Sequence, residues 1–129
     1  MTHISTNHIT ASVANALQYI SYYHPPDFIE SMSRAYEREA SESAKNAIGQ
    51  ILINSRMAAE GQRPMCQDTG IVVVFIKLGQ SVVIDGDISL QDAIDEGVRQ
   101  AYTDPDNPLR ASVVSPAIGE RRNTGDNTP

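Results

Sequence analysis

Cys66-Gln67-Asp68-Thr69 sets a thiol, an amide, a carboxylate and a hydroxyl side by side, between Pro64 and Gly70. Cys66 is the chain's only cysteine. As a thiolate it is a metal ligand or a nucleophile. On composition alone a lone cysteine is a small buried hydrophobe, and Asp68-Thr69-Gly70 reads on its own as an Asx-turn. A nucleophilic role would call for a histidine base, and none stands near Cys66 in sequence.

Side chains of this kind must be held by a rigid element. The run Ile71 to Leu78, apolar, rich in β-branched residues and closed by Gly79, predicts a strand buried on both faces. Gly79-Gln80 then makes a tight turn into a partner strand over Ser81 to Ile84, giving a β-hairpin that ends at Asp85-Gly86-Asp87. Those aspartates resemble the start of a calcium loop, but the later ligands are missing, so the segment is read as a turn. Ser89 caps a helix with Asp92 three residues on and Leu90, Ala93, Ile94, Gly97, Val98 and Ala101 facing inward. Asp104-Pro105 ends it. A short β-like segment over Ala111 to Ser115 follows, in a stretch otherwise rich in proline and turns.

Upstream, the helical lead-in covers about residues 9–60. A first helix runs from about Thr10 and stops by His24, because Pro25-Pro26 cannot continue it. Asp27 is the expected cap of a second helix bearing Phe28, Met32, Ala35 and Tyr36, and a break near Ser41 separates it from a third stripe, Ala44 to Leu52. His3, His8 and His24 lie at no spacing that suits a metal and are read as solvated. The charged residues from Glu37 to Lys45 are read as a solvated helix face. Together these elements predict an α/β (α+β) fold, with N-terminal helices on a small sheet and the sheet and site within about residues 63–129. Because a domain rarely ends on a polar, turn-rich loop with no following element to pack it, the chain is expected to be the leading part of a longer polypeptide.

With 129 residues, 40% of them hydrophobic, the chain suits one domain with a modest core. A net charge of -6 and a pI near 4.9, with no Lys/Arg block, argue against a nucleic-acid or anionic-membrane partner. No apolar stretch approaches the roughly 20 residues of a membrane span. The N-terminus lacks the features of a secretory signal, so a cytoplasmic protein is expected.

RPMCQDTG before an apolar run, NPLRASVV about forty residues on, and RRNTGDNTP after it occur in that order. From about Asp27 to Pro129 the chain resembles the N-terminal catalytic region of the class I, iron-sulfur-dependent fumarate hydratases and the related tartrate dehydratases. The resemblance implies a hydro-lyase of the tricarboxylic acid cycle type, a homo-oligomeric assembly, and a [4Fe-4S] cluster held by three cysteines. Cys66 matches the first of these. The other two lie, in the family, beyond Pro129, so the isolated chain is expected to be inactive until joined to the remainder of its polypeptide or a separate beta subunit.

The residue types agree with that implication. A cluster ligand must be a thiolate on well-fixed backbone. Gln67 offers an amide donor to a substrate carboxylate, and Asp68 a carboxylate for acid/base work or for orienting substrate. A C4 dicarboxylate brings two negative charges to an acidic protein, which needs an arginine fork to clamp it. The resemblance puts that arginine at Arg110, ahead of Arg121 and Arg122. The reaction implied is reversible addition of water across a carbon–carbon double bond, fumarate to malate, or the analogous dehydration of tartrate. A non-catalytic assembly module and an unrelated thiol enzyme are the alternatives.

Overall fold

The computed structural model describes residues 1–66, 70–107, 109–114 and 122–128. In chain order the elements are β1 (Thr2–Ser5), α1 (Thr6–Tyr22), α2 (Pro26–Arg38), α3 (Glu42–Gly61), β2 (Val82–Asp85) and α4 (Leu90–Thr103). The mixed α/β class is as expected. The chain divides into two compact units, one made of residues 1–18 and 67–129, the other of residues 19–66.

In the first unit, β1 and β2 pair in parallel, with Thr2 opposite Val82 and Ser5 opposite Asp85. The expected hairpin is therefore corrected. Residues 71–78 take no strand assignment, and β2 finds its partner about 80 residues away in the N-terminal THIS segment. The apolar run is also not buried on both faces: Ile71 is 80% and Phe75 92% exposed. A β-branched run becomes a strand only where a second backbone completes its ladder, and the described sheet holds β1 and β2 alone. The turn expected at Gly79-Gln80 falls one residue later, at Gln80-Ser81, closed by the Val82 amide donating to the Gly79 carbonyl at 3.1 Å.

Helix α4 follows the sequence reading closely. The Ser89 hydroxyl accepts the Asp92 amide and the Asp92 carboxylate accepts the Ser89 amide, a reciprocal capping box. Ala93, Ile94, Gly97, Val98 and Ala101 are buried, joined by Tyr102. Leu17 of α1, Val98, Ala101, Tyr102 and Leu109 form the core, with Val13, Ala14, Val72 and Ala111 packed on it. Helix α1 approaches α4 at Gly97, and there the Thr10 hydroxyl donates to the Ala93 carbonyl at 2.9 Å. Gln18 caps two carbonyls of the α4 exit, Ala101 and Asn107, each at 2.9 Å.

In the second unit, Pro25 is the N-cap of α2 and Pro26 its first residue, where a missing N–H costs nothing. Asp27 thus sits one position inside the helix rather than capping it, and its carboxylate accepts the Phe28 amide at 2.8 Å. The break near Ser41 is observed, with Ser41 as N-cap of α3. Helix α2 meets α3 where the Tyr36 ring closes on Gly49, whose Cβ would stand 3.3 Å from the ring. His24 departs from the solvated reading: its Nδ1 pairs with the hydroxyl of the buried Ser55 at 3.0 Å and its ring stacks on Phe28 at 4.2 Å. His3 also has a partner, Asp85, at 2.7 Å, which ties β1 to β2 at the strand ends.

Candidate active site

Cys66 is exposed, not the small buried hydrophobe that composition alone suggests. The backbone just before it is fixed on both polar groups. The Met65 amide donates to the Ser21 carbonyl at 2.9 Å, and the Asn54 side chain donates to the Met65 carbonyl at 2.9 Å. Asn54 thereby holds the thiol's approach from α3, a role that no local pattern in the sequence announces. Gln67, Asp68 and Thr69, together with Pro108, residues 115–121 and Pro129, lie outside the described residues.

Beyond the cysteine turn, Gly70 adopts a left-handed φ of 61°. Its carbonyl accepts the Asn127 side-chain amide at 3.0 Å. The Asn127 side-chain oxygen turns the other way and accepts two backbone amides, Ser112 at 2.7 Å and Val113 at 3.0 Å. Asn127 is 3% exposed and itself left-handed, with φ 62°. Asparagine tolerates that region better than most side chains. One buried amide therefore joins three segments that the sequence keeps apart: the exit of the cysteine turn, the stretch after Arg110, and the loop near the C-terminus.

The loop has its own scaffolding. Asn123 donates to the Ala111 carbonyl at 2.6 Å and accepts the Gly125 amide at 2.8 Å. Val114 and Asn123 form an isolated antiparallel bridge, and Thr124 donates its amide to the Val113 carbonyl at 2.9 Å. The β-like segment expected over Ala111 to Ser115 is reduced, over its described part, to that single bridge. Asp126 accepts the Thr128 amide at 3.1 Å and hydroxyl at 2.8 Å, and Arg99 of α4 at 3.2 Å. Burial pushes the Asp126 carboxyl up, but the Thr128 hydrogen bonds and the Arg99 guanidinium outweigh it and hold it below its ordinary value. Hydrogen bonds from Gln100 and Arg99 likewise lower Glu96, while Glu96 and Asp126 raise Arg99. The Thr124 hydroxyl is buried without a partner among the described residues.

Arg110 is exposed beside the buried Leu109, whose side chain anchors this stretch in the core. Arg122 is exposed as well. A groove of about 430 Å³ runs between residues 71–76, α4 and the Asn127-Thr128 pair. Among the described residues its lining is apolar apart from Gln91, Asp95, Asn127 and Thr128.

A three-cysteine cluster does not fit on this chain by itself. Cys66 is the sequence's only cysteine, and among the described residues no cluster of three or more His, Cys, Asp and Glu side chains could hold a metal. Among the described residues, too, no helix is long and apolar enough to cross a membrane.

The family model described as "Fumarate hydratase (Fumerase)" matches residues 10–129. A protein of Methanocaldococcus jannaschii named "Putative L(+)-tartrate dehydratase subunit alpha" is 35% identical over 123 residues, which is 94% of this chain and 42% of the relative. The "L(+)-tartrate dehydratase subunit alpha" of Escherichia coli K12 is 31% identical over 126 residues, 96% of this chain and 39% of the relative. The chain thus spans about two fifths of the length of the curated relatives it matches. The match takes in all three segments that Asn127 ties together and the cysteine turn before them, and the chain belongs to the fumarate hydratase (Fumerase) family.

Proposed function

We propose that this chain supplies part of the active site of a hydro-lyase that adds or removes water on a small C4 dicarboxylate, fumarate or tartrate. The observation that carries the reading is the Asn127 junction. It gathers the exit of the Cys66 turn and the segment following Arg110 into one hydrogen-bonded body, which is what a site assembled from distant motifs requires. The names of the relatives add that they are tartrate dehydratase subunits.

In this reading Cys66 is one ligand of a [4Fe-4S] cluster whose two further thiolates come from outside the chain. Its fixed backbone at Met65 and its exposed sulfur suit that role. Arg110 clamps one substrate carboxylate in two hydrogen bonds and stabilises the negative charge that builds there as the neighbouring C–H proton leaves. Gln67 donates its amide to a carboxylate oxygen. Asp68 moves a proton or orients the substrate hydroxyl. The base that takes the C–H proton comes from the remainder of the polypeptide or from a separate beta subunit, and the working assembly is a cytoplasmic homo-oligomer acting within the tricarboxylic acid cycle.

The isolated chain is inactive on this view. Reconstituting it anaerobically with iron and sulfide and following fumarate by ultraviolet absorbance tests that directly. No turnover is expected from the 129 residues alone, and turnover is expected once the partner polypeptide is added. Turnover by the chain alone contradicts the reading. A second reading, a non-catalytic assembly module, is favoured by the single cysteine. It predicts that the assembly keeps full activity when Arg110 is replaced by alanine.

A further inference from the structure

We infer that Asn127 is a positioning residue of the hydro-lyase site, fixing the Arg110 segment against the exit of the cysteine turn. The inference rests on the proposed function for the meaning of the site, and on geometry for the residue. Asn127 engages both ends of its side-chain amide with backbone groups from two other segments: it donates to Gly70 and accepts from Ser112 and Val113. Such a group fixes distance and orientation together, because an amide has a donor end and an acceptor end that cannot be exchanged. Its burial removes water as a substitute partner. Asp126 beside it is pinned by Arg99 of α4, so the junction is referred to the most deeply packed helix of its unit.

The loop does not need this side chain merely to turn. The left-handed backbone at Asn127 is open to glycine, and Gly125 already supplies a second left-handed residue with φ 82°. What glycine cannot supply is the bridge between residues 70 and 112–113. A displacement of about 1 Å at a substrate-holding segment costs on the order of 100-fold in rate.

Two variants separate the bridge from the backbone. Asn127→Gly keeps the conformation and removes all three side-chain hydrogen bonds. Asn127→Asp keeps the two bonds from Ser112 and Val113 but sets a carboxylate against the Gly70 carbonyl. Amide hydrogen exchange on this chain reports the bridge without any cofactor. Protection of Ser112 and Val113 is expected to fall about tenfold in Asn127→Gly, the size of one hydrogen bond, and to persist in Asn127→Asp. In Asn127→Asp the Ile71 amide resonance should shift and return toward its native position as the pH falls and the acid regains a proton to donate. In the cluster-loaded assembly, Asn127→Gly is expected to lower kcat/KM for fumarate on the order of 100-fold, with Asn127→Asp between it and the parent. Unchanged kcat and KM in both variants, beside inactive Arg110→Ala, would overturn the inference and leave the proposed function standing. Unchanged kinetics in Arg110→Ala would overturn both.

Discussion

A Cβ placed on Gly97 of α4 would stand 2.6 Å from the Thr10 carbonyl oxygen of α1 and 2.7 Å from Val13 Cβ. The two helices are therefore as close as backbones allow, and the Thr10 hydroxyl uses that closeness to reach the Ala93 carbonyl. Gly97→Ala is expected to destabilise the chain by about 1–3 kcal/mol, the range for overpacking a closed site. Urea unfolding followed by circular dichroism measures it. A stability equal to that of the parent would mean that the helices are not in contact at this point.

The capping box at the start of α4 gives the chain an acid-sensitive element. Hydrogen bonds from the Ser89 hydroxyl and then its amide hold the Asp92 carboxyl below its ordinary value of 3.8. A carboxyl whose pKa is lowered on folding stabilises the native state above its unfolded pKa, and that contribution disappears as the pH falls through the lower, folded pKa. Stability should therefore decline from about pH 4 downward, and Asp126 and Glu96, lowered too, act in the same direction. Asp92→Asn should flatten that part of the pH–stability curve. Ser89→Ala should cost about 1 kcal/mol at neutral pH. Thermal melts between pH 2 and 7 read out both, with the range set about the ordinary carboxylate values.

Residues 71–78 present a largely exposed apolar stretch: Ile71, Val73, Phe75, Ile76 and Leu78 are each more than half exposed. Such surface drives association. The isolated chain is expected to bind a hydrophobic dye and to self-associate at raised concentration. The double variant Val73→Thr with Phe75→Ser should reduce both while leaving the melting temperature within about 2 °C, since surface changes seldom exceed about 0.5 kcal/mol. Sedimentation velocity with dye fluorescence tests it.

The helices were legible because their signals are local. Pro25-Pro26 ends α1 and opens α2, Ser41 separates α2 from α3, and Ser89 with Asp92 starts α4. The sheet was not. The pattern of Ile71 to Leu78 states a preference for extended backbone but not whether a partner exists, and β2 pairs instead with Thr2–Ser5, which four residues of mixed polarity did not mark as a strand. Of the proposed site, Cys66 and Arg110 stand out by residue type and by the motifs around them. Asn54 and Asn127 did not, because an asparagine that hydrogen-bonds backbone from distant segments has no periodicity and no spacing rule. An asparagine beside glycine and aspartate signals a turn, and only the three-dimensional path of residues 70 and 112–113 gives Asn127 its bridging role.

The account depends most on the sulfur of Cys66 binding iron. Its exposure also means that iodoacetamide should alkylate it in the native chain without denaturant. The decisive measurement is the iron and acid-labile sulfide content of the anaerobically reconstituted assembly, compared between the parent and Cys66→Ser. Loss of the cluster in Cys66→Ser, with the fold kept by circular dichroism, is the predicted result. Full retention of iron and sulfide in that variant would contradict it and turn attention to Cys66 as a nucleophile.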